Sequence, residues 1–200
     1  MRIDLHVHSK ERSACGRASE EEQIRAAMKA GLDALVFTDH HRLAPLERLK
    51  KLNDRYAPFR IFSGIEITTN GEDVLVLGLY DAALENPKWA YPDLHAFVRA
   101  RGGFIALAHP FRYHSDKITI ELEQFVPDAL EVRSINTPVA AENRIREIAS
   151  RLGIPVVCNS DAHNTDALGA YYNVLERFPS DEQEMMALLR SGRFTCSQRR

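Results

Sequence analysis

The sequence predicts an α/β fold in a single domain, a closed or nearly closed β/α barrel. Three observations predict it. Strand-like runs alternate with helix-periodic segments along the chain, the order of a parallel sheet covered by helices. Six or seven such units fit in 200 residues, with no linker, low-complexity tract or internal repeat. Several strand-like runs end in an imidazole or a carboxylate, and in β/α barrels the C-terminal strand ends carry the chemistry.

The first element sets the pattern. Met1 to Ser9 (MRIDLHVHS) alternates apolar and polar residues with period two, a strand signature. Ile3, Leu5 and Val7 are expected on one face, with Asp4, His6 and His8 on the other. Two imidazoles one residue apart on a strand can reach one metal ion together, and neutral imidazole is the commonest side-chain ligand for transition metals.

The remaining elements follow in order. Ser19 with Glu22 forms a capping box for a helix carrying Ile24, Ala27 and Met28, which stops at Gly31. Ala34 to Phe37 suits a strand buried on both faces and ends in Thr38-Asp39-His40-His41. Leu43 to Tyr56 reads as a helix ending before Pro58, and Arg60 to Ile65 as a strand ending in Glu66. Asn70-Gly71 signals a hairpin whose second strand is Val74 to Tyr80. Pro92 starts a helix closed by Gly102-Gly103, and Phe104 to Ala108 is a strand running into His109-Pro110.

Phe111 to Gln124 reads as a loop with a short helix, and Ala129 to Val132 as a strand. Thr137-Pro138 opens a helix with Ile145, Ile148, Ala149 and Leu152 inward. Ile154 to Cys158 is a strand ending in Asn159-Ser160-Asp161-Ala162-His163. Tyr171 to Leu175 is a last strand, Ser180 with Gln183 caps a final helix, and Arg199-Arg200 reads as a frayed tail.

Composition bounds the function. Apolar residues at 44% and charged residues at 27% are those of an ordinary globular protein long enough to bury a core. A formal net charge of −2 argues against stable binding to long nucleic acid, which needs a basic footprint, but leaves nucleotides and short oligonucleotides as substrates. The three cysteines, Cys15, Cys158 and Cys196, are odd in number and widely spaced, so no disulfide framework is expected. No apolar run is long enough to cross a membrane, and a strand that begins at Met1 leaves no room for a signal peptide before it. A reducing, cytoplasmic setting is the expectation. The oligomeric state is not legible.

The strand ends therefore nominate His6, His8, Asp39, His40, Glu66, His109, Asp161 and His163. Taken singly, each could be a structural residue. The barrel rule would bring them together. His95, His41 and His114 lie on a helix and in loops and stay outside the set.

With these residues in place, the chain resembles the PHP family, the polymerase and histidinol phosphatase superfamily. The resemblance rests on Asp4-Leu5-His6-Val7-His8, Thr38-Asp39-His40, Gly64-Ile65-Glu66, Ala108-His109-Pro110 and Asn159-Ser160-Asp161-Ala162-His163, in the family's order. It implies a distorted (β/α)7 barrel, two or three divalent ions and phosphoester hydrolysis. Carried over, His6 and His8 bind one ion with Glu66 and Asp161, Glu66 bridges to a second ion bound by His109, and a third takes His40 and His163.

The chain departs from the family pattern in two places. The loop ligand after the first strand is replaced by Ser13-Ala14-Cys15-Gly16, which makes Cys15 a candidate, since a thiolate can bind zinc. A further histidine at the second ion has no counterpart: Leu75 stands at one place where relatives carry it, and Glu131 is a weak substitute.

The mixed donor set suits Zn²⁺, Mn²⁺ or Fe²⁺. Ions in such a site lower the pKa of bound water from ~15.7 to about 7, supplying hydroxide to attack phosphorus. Asp4 and Asp39 are expected to orient imidazoles from behind. Arg112, three residues after His109, can hold phosphate through its guanidinium, with Arg17 and Arg133 as weaker candidates. Glu66, Asp161, His163 and Arg112 are thus the expected catalytic residues. The reading is a hydrolase of a small phosphomonoester, nucleotide or short oligonucleotide. The alternatives are a hydrolase of C–N or C–O bonds and a metal-stabilised domain without turnover.

Overall fold

The structure, a computed structural model, describes residues 1–199. Among the described residues, nine strands form one sheet in the order β7-β6-β5-β4-β3-β2-β1-β8-β9. They are β1 (Arg2–Val7), β2 (Ala34–Phe37), β3 (Arg60–Thr69), β4 (Glu72–Leu77), β5 (Phe104–Leu107), β6 (Ala129–Arg133), β7 (Val156–Cys158), β8 (Tyr171–Leu175) and β9 (Phe194–Gln198). The helices are α1 (Glu20–Lys29), α2 (Leu46–Tyr56), α3 (Tyr91–Ala100), α4 (Glu142–Leu152) and α5 (Glu182–Arg190).

The expected distorted (β/α)7 barrel is met in part: the sheet is barrel-like and α/β, but it has nine strands of mixed direction among the described residues. β1, β2 and β3 are parallel, as are β5, β6 and β7. β4 runs antiparallel to both β3 and β5, and the pair β8–β9 joins β1 antiparallel. The cause is local. The two-residue Asn70-Gly71 turn, both at positive φ, returns the chain as a hairpin, where a parallel neighbour would need a crossover helix.

The open edge at β7 is closed by side chains. Asn173 on β8 accepts from the Cys158 N–H (3.1 Å) and donates to the Cys158 carbonyl (2.8 Å), taking the place of a neighbouring strand's backbone. Cys158 is also disulfide-bonded to Cys196 of β9, with 5.4 Å between the Cα atoms. This corrects the expectation of unpaired cysteines. A 38-residue separation and a polar edge strand, Phe-Thr-Cys-Ser-Gln, gave no sequence signal for the pairing.

Strand side chains alternate between two packed environments. Ile3, Val36, Leu75, Leu77, Phe104, Ala106 and Val157 fill the barrel with Met185, Met186, Leu188 and Leu189 of α5. Ile65, Ile67, Val74, Val76, Ile105 and Leu107 face outward against Leu94, Val98, Ile145 and Ala149 of α3 and α4. β1 breaks its simple alternation. Its pairing with β2 shifts register between Asp4 and Val7, and Leu5 and Val7 end in different clusters. α5 packs near the strand starts Met1, Ile3 and Phe104, leaving the opposite rim for the site.

Smaller differences have local causes. The last helix is capped by Asp181, whose side chain accepts from the Glu184 N–H, while Ser180 and Glu184 bond one residue out of the expected register. Phe111 to Gln124 forms turns and no helix. Arg199 donates its N–H to the Ala170 carbonyl (3.1 Å) and is not frayed; Arg200 lies outside the described residues. Among the described residues, no helix is long and apolar enough to cross a membrane.

Candidate metal centre

The rim gathers the nominated residues from five strands. His6 and His8 come from β1, His40 from the end of β2, Glu66 from β3, His109 from the end of β5, and Asp161 and His163 from the segment after β7. Cys15 joins from the loop after β1. The potential ligands form three sets: His6, His8 and Asp161; His6, Glu66 and His109; and His8, Cys15, His40 and His163, with ligand atoms within 4.8 Å of one another in each.

The first set is the most regular. His6 Nε2 lies 3.1 Å from His8 Nε2 and 3.3 Å from Asp161 Oδ1, and His8 Nε2 lies 3.2 Å from Asp161 Oδ1. Glu66 closes the figure, Oε1 being 3.3 Å from His6 Nε2 and Oε2 3.2 Å from His8 Nε2. A tetrahedron with the ~2.0–2.1 Å arms of a zinc–imidazole bond has edges of about 3.3 Å, so the His6, His8 and Asp161 donors are spaced as three corners around such an ion. Asp161 Oδ1 and Glu66 Oε2 are buried and have no hydrogen-bond partner, as donors left for a cation would be.

Glu66 links the sets. Oε1 also lies 3.1 Å from His109 Nε2, and Oε2 3.2 Å from His40 Nδ1. It lies within β3, paired with Leu75 of β4. A Cβ on Gly64 would lie 2.7 Å from the Val76 carbonyl oxygen, so only glycine lets the two strands meet two residues before the bridge.

Supporting residues set the tautomers. His6 Nδ1 faces Glu131 Oε1 at 3.1 Å, leaving Nε2 to point into the site. Glu131 also accepts from Asn159 Nδ2 (2.7 Å) and the His109 N–H (2.9 Å). It therefore sits behind the ligands, which corrects its reading as a substitute ligand. Asp39 acts on His8 through Ser13: Ser13 Oγ donates to Asp39 Oδ1 (2.8 Å) and lies 3.2 Å from His8 Nδ1. Asp4 touches no imidazole. Its Oδ1 accepts from the His6 and Ser160 N–H groups, tying β1 to the segment that carries Asp161.

The electrostatics are those of a buried, cation-seeking site. Burial lowers the His6 imidazole, but Asp161, Glu66 and Glu131 outweigh it and raise it well above its usual value. His8 follows the same balance and is pushed up to about 9 by its contacts with Asp161 and Glu66. Burial raises Glu66 and Asp161, and the imidazoles more than reverse this, leaving both below the usual carboxylate range. Burial lifts Asp4 to about 7 against the opposing Ser160 and His6 hydrogen bonds. His109 and Asp161 adopt positive φ, 25° and 54°, conformations that cost non-glycine residues energy and concentrate at functional sites.

Arg112 lies at the rim, Nη1 3.2 Å from His109 Nε2 and 3.7 Å from Asp161 Oδ2. Arg133 is turned away to Glu142 (2.8 Å), and Arg17 is exposed. Asn136 Nδ2 donates to Asp161 Oδ2 (2.6 Å). Sequence reasoning assigned no role to Ser13, Asn136, Asn159 or Asp73; Asn159 stands in a strand-end motif, but an amide there gave no signal of its own. His41 bonds to the Thr68 N–H (3.4 Å) and His95 faces the Val126 carbonyl (2.9 Å), both structural roles.

Comparison with known proteins decides the family. The PHP domain model matches residues 4–122, more than half of the chain. The chain belongs to the PHP family. The family's associated C-terminal model matches residues 140–194. The Bacillus subtilis DNA polymerase/3'-5' exonuclease PolX is 27% identical over 202 aligned positions, covering 82% of this chain. The chain spans only 35% of that relative's length.

Among solved structures, PsfC from Pseudomonas syringae superposes with a TM-score of 0.74 at 19% identity, over 99% of this chain and 91% of that one. A Bifidobacterium adolescentis protein provisionally assigned as a metal-dependent phosphoesterase gives 0.67 at 16% identity, over 82% and 88%. An amidohydrolase from Chromobacterium violaceum gives 0.63 at 18%, over 82% and 88%. At these identities the likeness is one of fold. Membership of this family and the ligand sets together support a metal-dependent hydrolase.

Proposed function

We propose that this PHP-family chain is a phosphoesterase acting on a small phosphomonoester, a nucleotide or a short oligonucleotide. The observation that carries this reading is Glu66: one buried carboxylate has each oxygen at 3.1–3.3 Å from imidazole nitrogens of two different ligand sets. In this reading His6, His8 and Asp161 hold a first ion with Glu66, His109 helps hold a second, and Cys15, His40 and His163 a third. Zinc, manganese or iron bound there would supply hydroxide near neutral pH and offset charge on the phosphoryl oxygens.

The chain's own residues do the rest. Glu131 and Ser13 keep the Nε2 lone pairs of His6 and His8 turned inward. Asn136 fixes the Asp161 carboxylate by its outer oxygen. Arg112, at the rim, offers the fixed positive charge a phosphate needs. The exonuclease activity named for the Bacillus relative is the reason to include short oligonucleotides, and the net charge of −2 speaks against a grip on long ones.

The test is hydrolysis of a generic phosphoester and of mono- and oligonucleotides by wild type, His8→Ala and Asp161→Ala. Loss of at least a hundredfold in both variants is expected, and undiminished activity would refute the assignment. Amides and carboxylic esters belong in the same panel. Turnover confined to them would replace phosphoester by C–N or C–O hydrolysis. Stabilisation by metal with no turnover at all would leave a non-catalytic domain.

A further inference from the structure

The set His6, Glu66 and His109 shares His6 with the first set, which leaves the second ion short of donors of its own. Leu75 lies directly opposite Glu66 in the β3–β4 register, and its side chain joins the barrel core. Two residues earlier on the same strand and face stands Asp73, opposite Thr68. We infer that Asp73 is a further ligand of the second ion, beside His109 and Glu66. The inference rests on the metal-centre reading above and adds a residue to it.

Three observations carry it. Asp73 is 1% exposed, and its Oδ2 lies 3.7 Å from His109 Nε2, itself 3.1 Å from Glu66 Oε1. Two arms of ~2.1 Å from one ion span a gap of that size at an ordinary coordination angle. Second, Asp73 is undercompensated. Among the described residues its hydrogen-bond donors are neutral hydroxyls, Thr68 Oγ1 to Oδ1 (2.6 Å) and Tyr113 Oη to Oδ2 (2.7 Å). Among the described residues no lysine or arginine comes within ion-pair distance of it, and a buried carboxylate ordinarily has a cation.

Third, the guanidinium at the rim serves the other side. Arg112 reaches His109 Nε2 and Asp161 Oδ2 and leaves Asp73 alone. The His109 nitrogen has one lone pair, so an ion there and the Arg112 contact exclude each other. An ion on Asp73, Glu66 and His109 would therefore release Arg112 toward the phosphate. Replacing imidazole by carboxylate also hardens the second position, favouring Mn²⁺ over Zn²⁺ relative to a position with the extra histidine.

The test is metal stoichiometry of the full chain, stripped with chelator, equilibrated with Mn²⁺, freed of unbound ion and measured by elemental analysis. Asp73→Asn and His109→Ala are each expected to hold one ion fewer than wild type. Asp73→His, which restores a donor, is expected to recover the count and to shift preference toward Zn²⁺. Thermal unfolding adds a second readout. Without metal, Asp73→Asn should melt no lower than wild type, because an unpaired buried charge has been removed; the rise in melting temperature on adding Mn²⁺ should be smaller. An unchanged count in Asp73→Asn, or a lower melting point without metal, would overturn the inference. Either result leaves His8→Ala and Asp161→Ala to judge the phosphoesterase reading separately.

Discussion

Glu131 shows how much of the site is decided by residues that never face the ion. Its two oxygens hold the His6 ring, the Asn159 amide and the His109 backbone at once. Losing such a partner behind a metal-ligating histidine typically costs 10–100-fold in affinity. Glu131→Gln is expected to weaken metal binding within that range, read by competition with a chromogenic chelator. Arg112→Ala should cut kcat/KM on a phosphomonoester by about 10–100-fold, the worth of a charged hydrogen bond of 1.5–3 kcal/mol, while leaving the His6, His8 and Asp161 ion in place. Equal loss on a neutral ester substrate would remove the phosphate role. The ligands themselves were legible because imidazoles and carboxylates at strand ends have few structural uses. The roles of Ser13, Glu131 and Asn136 were not, because each works through a neighbour on another segment.

At the scale of elements, β8 and α5 carry consequences of their own. Asn173→Ala would strip both partners from Cys158's backbone, and each buried unsatisfied group costs about 1–3 kcal/mol. Chemical denaturation should show a loss of at least that size, against a small one for an exposed asparagine such as Asn86. In α5, Glu182 is half-buried and accepts from Tyr80 Oη at 3.3 Å. Burial raises its carboxyl above the usual value, with Tyr80 and Arg60 opposing.

The sign follows from that direction. A raised folded value makes ionisation less favourable in the folded chain, so stability is unaffected below the unfolded glutamate value of about 4.3 and falls as pH rises through the folded one. Glu182→Gln should therefore melt like wild type in acid and higher at neutral pH; a gap that does not grow with pH would contradict this. Most elements were readable from periodicity and caps, α1's capping box included. β9 was not, since edge pairing with β8 supplies what its polar sequence lacks.

At the scale of the whole molecule, closure joins fold to site. The Cys158–Cys196 bond and Asn173 fasten β7 to β8 and β9, and Asp161 follows Cys158 by three residues. A 38-residue loop closed by a disulfide implies about 2–4 kcal/mol of stabilisation. Cys196→Ser is expected to lose that much in non-reducing denaturation, and reduced wild type to match it. Two matching curves without reductant would show the thiols unpaired in solution. The sequence by itself determined the α/β class, the strand-end ligands and the family they resemble, because period-two alternation and donor spacing along one strand are local properties. The tertiary structure alone decided the antiparallel β4 and β8–β9, the disulfide, and the placing of Glu131 behind His6 and Asp73 beside His109. Those depend on which strand lies next to which, and register between distant segments is set by packing and hydrogen bonding across the sheet.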